Sequence, residues 1–372
     1  MKSGILRGMI LFAVLWTAGP AVAAEPAADK VVLEETLRLE DGQADVFFKN
    51  PRRIHEVTGK WIYLLDDQRA LKFDTAGKGF GEVVPRGEGP GELRRVHYVG
   101  SVDGQLVLLS VYPFKVLLAE PDGTFKREFR PQDQGHFYNL ESIWNGRLLL
   151  SRRKQDFISG AKQGVSAWPV ELTWMDMQEK TEPFNLAGIS EMIFMNKLTL
   201  EGGRVAVAIN EVCSMKTCVD AVGKRLYLAY TPRYAVDIVD LETGKRLSTL
   251  KRPHKTVDYY APPRDDEEEE AARTRGIEPY VPDEFNDILA IHHVLGELWV
   301  VTSDFAKERG FRVDRFDTDG NFSGSVFLNV PGVTHPEELD RRILEFTADR
   351  LWINEPDEDG NPVPVRYRVS LR

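Results

Sequence analysis

The chain has 372 residues, 42% of them hydrophobic, 28% charged and 10% aromatic. That apolar share supports a large core and excludes wholesale disorder. A formal charge of −10, a pI near 5.4 and scattered basic residues argue against nucleic acid as the main partner, and two cysteines exclude a disulfide-dense scaffold.

Residues 1–23 read as a secretory signal. Lys2 and Arg7 form the charged head, Gly8 to Trp16 the apolar centre, and Ala21-Val22-Ala23 the small-residue cleavage site after the Gly19-Pro20 break. A membrane span needs about 20 apolar residues, and this run is interrupted well before that. No cysteine near the site indicates lipid attachment, and no later stretch is long and apolar enough to span. The expected mature chain, 24–372, is therefore periplasmic or secreted, without a transmembrane anchor.

Val31 to Leu39 then reads as an extra strand, and behind it six strand–turn–strand units follow. The first runs from Gly59 through Trp61–Asp66 and Ala70–Asp74 to Gly77. The second begins at Gly104 and ends at Pro121-Asp-Gly123; the third begins at Asn145 and resumes after an insertion at Val170–Asp176. The fourth spans Gly223–Tyr230 and Tyr234–Asp240, the fifth Gly296–Val301 and Phe311–Asp317, and the sixth Asp349–Ile353 and Val365–Val369. In each unit a nearly continuous apolar strand, buried on both faces, precedes an alternating one. Asp-Gly and Thr-Gly pairs supply the positive φ of tight turns. A further strand precedes most units, as at Val96–Val99, Arg204–Ile209 and Ile288–Ile291. Another follows, as at Phe125–Phe129 and Arg246–Leu250. About four strands per unit make a propeller blade, and six blades of about 43 residues account for roughly 258 positions. Insertions near 153–168, 210–222, 252–284 and 329–342 take up the rest. The sixth unit ends on its third strand, so pairing with Val31–Leu39 is expected to close the ring and cover an exposed edge. The fold class is thus all-β, a single six-bladed propeller over 24–372 with an acidic insertion near 252–284.

Arg86-Gly-Glu-Gly-Pro-Gly-Glu-Leu93, followed by Gly104-Gln-Leu-Val-Leu-Leu, Lys115-Val-Leu-Leu and Pro121-Asp-Gly-Thr-Phe125, resembles the NHL-repeat consensus. Trp61 to Gly77 is similar, with Asp66 at the family's aspartate position. Later units lack the Gly-Pro-Gly connector, and Ser110 stands where aspartate is usual in the second. Taken whole, the chain resembles exported bacterial six-bladed propellers. Relatives of that kind include binding scaffolds, lyases and lactonases, and fold does not fix function. Related lactonases carry calcium in the central channel, which makes calcium the cofactor that the resemblance brings into view; spacing in this chain does not show it.

The chemical motifs point mostly to architecture. Gly87, Gly89 and Gly91 lack the helix and Lys-Ser/Thr of a phosphate loop and read as an inter-blade connector. Asp317–Gly320 and Asp357–Gly360 lack the glutamate that a calcium loop places twelfth, where Leu328 and Arg368 stand, so both read as hairpin turns. The seven histidines form no ligand pair, and adjacent His292 and His293 in a strand point to opposite faces. There is no Gly-x-Ser-x-Gly elbow. These absences weigh against an enzyme. Asp265–Glu270 reads as a solvated acidic block, with contact to a cation or a basic partner as the sharper alternative. Cys213 and Cys218, in an exported chain, are expected to form a local disulfide.

In a propeller the loops between second and third strands converge with the inter-blade connectors around the mouth of the channel. That places Asp66, Arg69, Arg86, Tyr112, Arg152, Tyr230, Arg233, Asp304 and Glu355 on one face as ligand-binding candidates, with arginines suited to a carboxylate or phosphate. The expected function is a binding module for a small molecule, glycan or envelope protein. The alternative is a metal-assisted lactonase or lyase with its site at the channel mouth.

Overall fold

The computed structural model describes residues 30–40, 47–57, 59–111, 113–130, 139–153, 163–184, 186, 188–199, 205–260 and 280–372. The signal segment 1–23, Tyr112 and the acidic run Asp265–Glu270 lie outside the described residues.

Six antiparallel sheets form the blades of a six-bladed β-propeller. Blade one comprises β2 (Pro51–Val57), β3 (Trp61–Asp66), β4 (Arg69–Asp74) and β5 (Gly79–Glu82). Blade two comprises β6 (Tyr98–Val102), β7 (Gln105–Val111), β8 (Phe114–Ala119) and β9 (Phe125–Phe129). Blade three is larger, with β10 (Asn139–Trp144), β11 (Arg147–Arg153), β12 (Gly164–Asp176), β13 (Thr181–Phe184), β14 (Ser190–Thr199) and β15 (Val205–Cys213). Blade four holds β16 (Met215–Asp220), β17 (Arg225–Tyr230), β18 (Ala235–Asp240) and β19 (Arg246–Lys251). Blade five holds β20 (Ile288–Val294), β21 (Glu297–Ala306), β22 (Gly310–Phe316) and β23 (Phe322–Leu328). Blade six holds β24 (Ile343–Thr347), β25 (Arg350–Pro356) and β26 (Pro362–Leu371), completed by β1 (Val31–Arg38).

The closure expected from the sequence is present. Strand β1 runs antiparallel to β26 from Val31 opposite Leu371 to Arg38 opposite Val365. Glu56 on β2 then joins blade one to blade six, accepting from Arg350 Nη1 (2.6 Å), Trp352 Nε1 (3.0 Å) and Arg366 Nη1 (3.3 Å).

Among the described residues the core is divided rather than central. Each apolar cluster sits between two neighbouring blades, as where Tyr63 and Leu65 of blade one meet Val99, Leu106 and Leu108 of blade two. The other interfaces repeat this, down to Ile62, Leu64 and Phe73 against Leu344 and Trp352 across the closure. This is why the second strand of each unit reads as an unbroken apolar run: both of its faces are covered.

Two expectations fail around blade three. Arg204–Ile209 was expected to precede unit four as its inner strand; instead β15 pairs with β14, and β14 with the first half of β12. The long β12 thus serves two partners, its second half continuing the blade against β11 and its first half carrying a three-stranded extension. The inner strand of blade four is β16, within the stretch expected to be an insertion. The disulfide expected between Cys213 and Cys218 is absent, and both thiols are free. Cys213 ends β15 opposite Met192, whereas Cys218 sits within β16 opposite Tyr227, so the stretch between them is strand rather than a tight loop. Burial pushes the Cys213 thiol up to about 11 and the Cys218 thiol up to about 12.

The Gly-rich segment is an inter-blade connector, as its sequence suggests. Buried Lys115 donates to the carbonyls of Gly89 (2.8 Å) and Glu92 (2.9 Å) and pairs with Glu128 (2.7 Å), while Gly91 N donates to Glu128. Asp317 and Asp357 close hairpins, each Oδ1 accepting from the amides two and four residues on.

Candidate functional site

Loops between second and third strands share one face, here called the upper face, with the inter-blade connectors; the eight described candidates lie in or beside these segments. They do not form one site. Asp66 is fully buried and accepts from Lys49 N (2.9 Å) and Asn50 N (2.5 Å), while Arg69 Nη2 reaches it at 2.8 Å and also the Phe47 carbonyl. The pair therefore pins the segment leading into β2. Arg152 meets Glu171 at 2.8 Å across β11 and β12. Glu355 receives Arg38 (3.0 Å) and the Tyr367 hydroxyl, completing the closure. The Tyr230 hydroxyl donates to Gly188 O at 3.2 Å, and burial pushes its pKa up to about 12. Arg86 is exposed with Glu82 at 3.8 Å, Arg233 is exposed, and Asp304 is half-buried beside Thr302.

Two concavities are present instead. The first is a hollow of about 550 Å³ on the upper face over blades four to six. Its walls come from the connector between β19 and β20, whose two described ends zip together: Tyr259 N donates to Asp283 O (3.0 Å) and Phe285 N to Val257 O (2.9 Å). Tyr259 and Tyr260 stack on Phe285 at 4.9 and 5.1 Å. On one side this connector docks against the 3-10 turn Pro336–Glu338 and helix α1 (Leu339–Arg342). There His335 Nε2 bonds with Tyr260 O at 2.8 Å, and the Tyr259 hydroxyl donates to Glu337 at 2.7 Å. On the other side Phe194 lies 5.1 Å from Tyr280, and Asn286 Nδ2 donates to Val212 O at 3.2 Å. The hollow is thus held open between two docked connectors. Cys213, Ser214, Ile288, Leu289 and Leu339 line it with the Tyr259, Tyr280 and Phe285 rings, and Glu211, Asp283, Glu284, Glu337 and Asp340 stand against the single Lys216.

The second concavity is the axial channel, about 760 Å³, lined by the inner strands of all six blades. Within it His55 Nε2 lies 2.9 Å from Ser101 Oγ and His55 Nδ1 3.8 Å from Glu345. Glu141 accepts from the Ser151 hydroxyl and from Thr217 Oγ1 (3.2 Å); burial holds its carboxyl above the ordinary range, with Glu191 adding to the effect. The Arg53 guanidinium covers the Tyr98 ring at 4.1 Å. His292 packs on Phe346 at 5.2 Å, and burial lowers its pKa to about 4. Among the described residues no three His, Cys, Asp or Glu side chains are grouped to hold a metal ion.

None of the eight described candidates lines the hollow. Nothing in the sequence points directly to this concavity, because its residues come from several segments spread over about 130 positions and share no motif. The available signal was the aromatic pair Tyr259-Tyr260 followed by Tyr280 and Phe285 around the acidic insertion.

No protein-family model matches the chain, and neither does any curated protein. Among solved structures it is similar to a Bacteroides fragilis protein assigned as exported (12% identity, TM-score 0.48, covering 91% of this chain and 95% of that one). It is also similar to the calcium-binding protein regucalcin of Agrobacterium tumefaciens (13%, TM-score 0.44, 91% and 95%). A third is a gluconolactonase of Xanthomonas campestris (11%, TM-score 0.43, 94% and 99%). At these identities the likeness concerns the shape of the ring alone. No helix among the described residues is long and apolar enough to cross a membrane.

Proposed function

We propose that this protein is exported and serves as a binding module that takes a small polar ligand, or a side chain of an envelope partner, on its upper face. The observation that carries this reading is the hollow between the β19–β20 and β23–β24 connectors. At about 550 Å³ it falls within the range of roughly 300–1,000 Å³ typical of small-molecule sites, and it combines aromatic walls with a few oriented polar groups. Rigid blades below and docked connectors above keep such a site preformed, so little ordering opposes binding. The export half of the reading rests on the secretory pattern of residues 1–23.

Arg86 and Arg233, which are exposed, belong to the same proposal as outer contacts for a larger ligand, and Tyr112, outside the described residues, is tested with them. The test is a thermal-shift screen of metabolites and glycans against the purified protein, followed by titration of each hit into Tyr280→Ala, Arg86→Ala, Tyr112→Ala and Arg233→Ala. At least one variant is expected to weaken a hit about tenfold, a loss of about 1.4 kcal/mol. Wild-type affinity in all four would remove the upper face as the site.

A further inference from the structure

Resting on that reading, we infer that the hollow selects a protonated amine or guanidinium carried on an apolar stem. The selectivity follows from what its rim has left over. Of the five carboxylates that line it, Asp340 is paired with Lys216 (2.8 Å) and Glu211 with Arg153, while Glu337 accepts the Tyr259 hydroxyl. Asp283 and Glu284 are exposed, and among the described residues neither has a basic partner. A ligand arriving at this rim meets two carboxylates that no described cation compensates.

The walls favour the same chemistry independently of the rim. Tyr259, Tyr280 and Phe285 line the hollow on the connector side, and an ammonium or guanidinium group within about 6 Å of an aromatic ring face is attracted by its quadrupole. An anion at the same place is repelled by both the rings and the rim. Below them Ile288, Leu289 and Leu339 form an apolar floor, which has no partner for a polar tail but can cover a short hydrocarbon stem. Lys216, the one cation on the lining, is already held by Asp340. Two of the arginines expected to favour a carboxylate or phosphate are engaged elsewhere, Arg69 by Asp66 and Arg152 by Glu171, and neither lines the hollow.

The experiment is calorimetric titration of the full chain with four small probes, n-pentylamine, agmatine, pentanol and pentanoate, and with acetyl-Gly-Arg-Gly-amide. The amine and agmatine are expected to bind at least tenfold more tightly than the alcohol and the carboxylate, and to weaken several-fold at high salt. Asp283→Asn/Glu284→Gln, two exposed positions, is expected to weaken both cations at least fivefold while leaving the melting temperature unchanged. If the tripeptide binds more tightly than agmatine the cation is one presented by a partner chain, and if less tightly it is a free small molecule; both outcomes support the selectivity. Equal or tighter binding of pentanol or pentanoate, lost in Tyr280→Ala, overturns the inference and leaves the hollow as a binding site. Cation binding that the double variant does not alter overturns the inference by placing the cation elsewhere. No binding of any probe overturns the inference, and only failure of the wider metabolite screen removes the binding reading as well.

Discussion

Replacing Asp66 by alanine should cost stability before it costs any binding. The carboxylate is fully buried, and it satisfies two backbone amides, Lys49 N and Asn50 N, together with the Arg69 guanidinium. Truncation leaves these donors without their acceptor, and Arg69, whose side chain is only 12% exposed, keeps just the Phe47 carbonyl and a 3.7 Å approach to Glu82. Breaking a buried pair in this way costs roughly 3–5 kcal/mol. Asp66→Asn retains one acceptor oxygen but loses the charge, and should cost about 2 kcal/mol. Unfolding entropy is about 2.1 cal/mol/K per residue, so for a chain of this length about 4 kcal/mol lowers Tm by roughly 5 °C. The assay is differential scanning calorimetry of the two variants beside wild type, with ligand titration below the transition. A variant Asp66→Ala that melts within about 1 °C of wild type yet loses ligand would refute the assignment and return Asp66 to the binding surface.

Two other perturbations read the fold directly. Gly310 has φ +86°, and an added Cβ would lie 2.1 Å from the Leu328 carbonyl oxygen; Gly59 has φ +63° with nothing within 4 Å. Gly310→Ala should therefore cost about 3–5 kcal/mol and Gly59→Ala only about 1–2 kcal/mol by urea denaturation, and equal losses would contradict the clash. Burial lowers His292 to about 4 from an ordinary 6.5, so between these values the unfolded chain binds the extra proton. The stability this withholds is intact above about pH 6.5 and lost as pH falls toward 4. Urea midpoints of wild type and His292→Gln at pH 7.5 and pH 5 should diverge in that direction, the variant losing less; parallel losses would disprove it.

Repetition made the architecture legible. The apolar run that opens each unit is a blade's second strand, covered on both sides by its neighbours, so Leu106–Leu109 and Leu226–Ala229 announce burial without reference to the rest of the chain. The closure was legible for a related reason, since Val31–Leu39 had no unit of its own. Where one strand serves two partners, as β12 does, local pattern carries no sign of it, and Arg204–Ile209 reads as part of the following blade although β15 belongs to the preceding one. The cysteine spacing misled because the compartment suggested a loop, while Met215–Asp220 pairs with Arg225–Tyr230 as a strand. At the site, polar residue type in a loop could not tell a group the fold consumes, such as Asp66 or Glu355, from one it leaves free. That distinction depends on partners such as Asn50 and Arg38, which the loop sequence itself does not reveal.

The bond between Thr36 and Arg366 joins positions 330 apart, and it sets an order of assembly. The other five sheets are each built from one continuous stretch of chain, whereas the sixth needs a strand made before the other blades and others made after them. Strand β1 must therefore wait, edge uncovered, while five blades form behind it. Its sequence suits the wait: Glu34, Glu35, Thr36 and Arg38 are exposed even in the finished ring. Charges along a lone edge discourage pairing with a second copy, so the strand can remain single until its proper partner emerges.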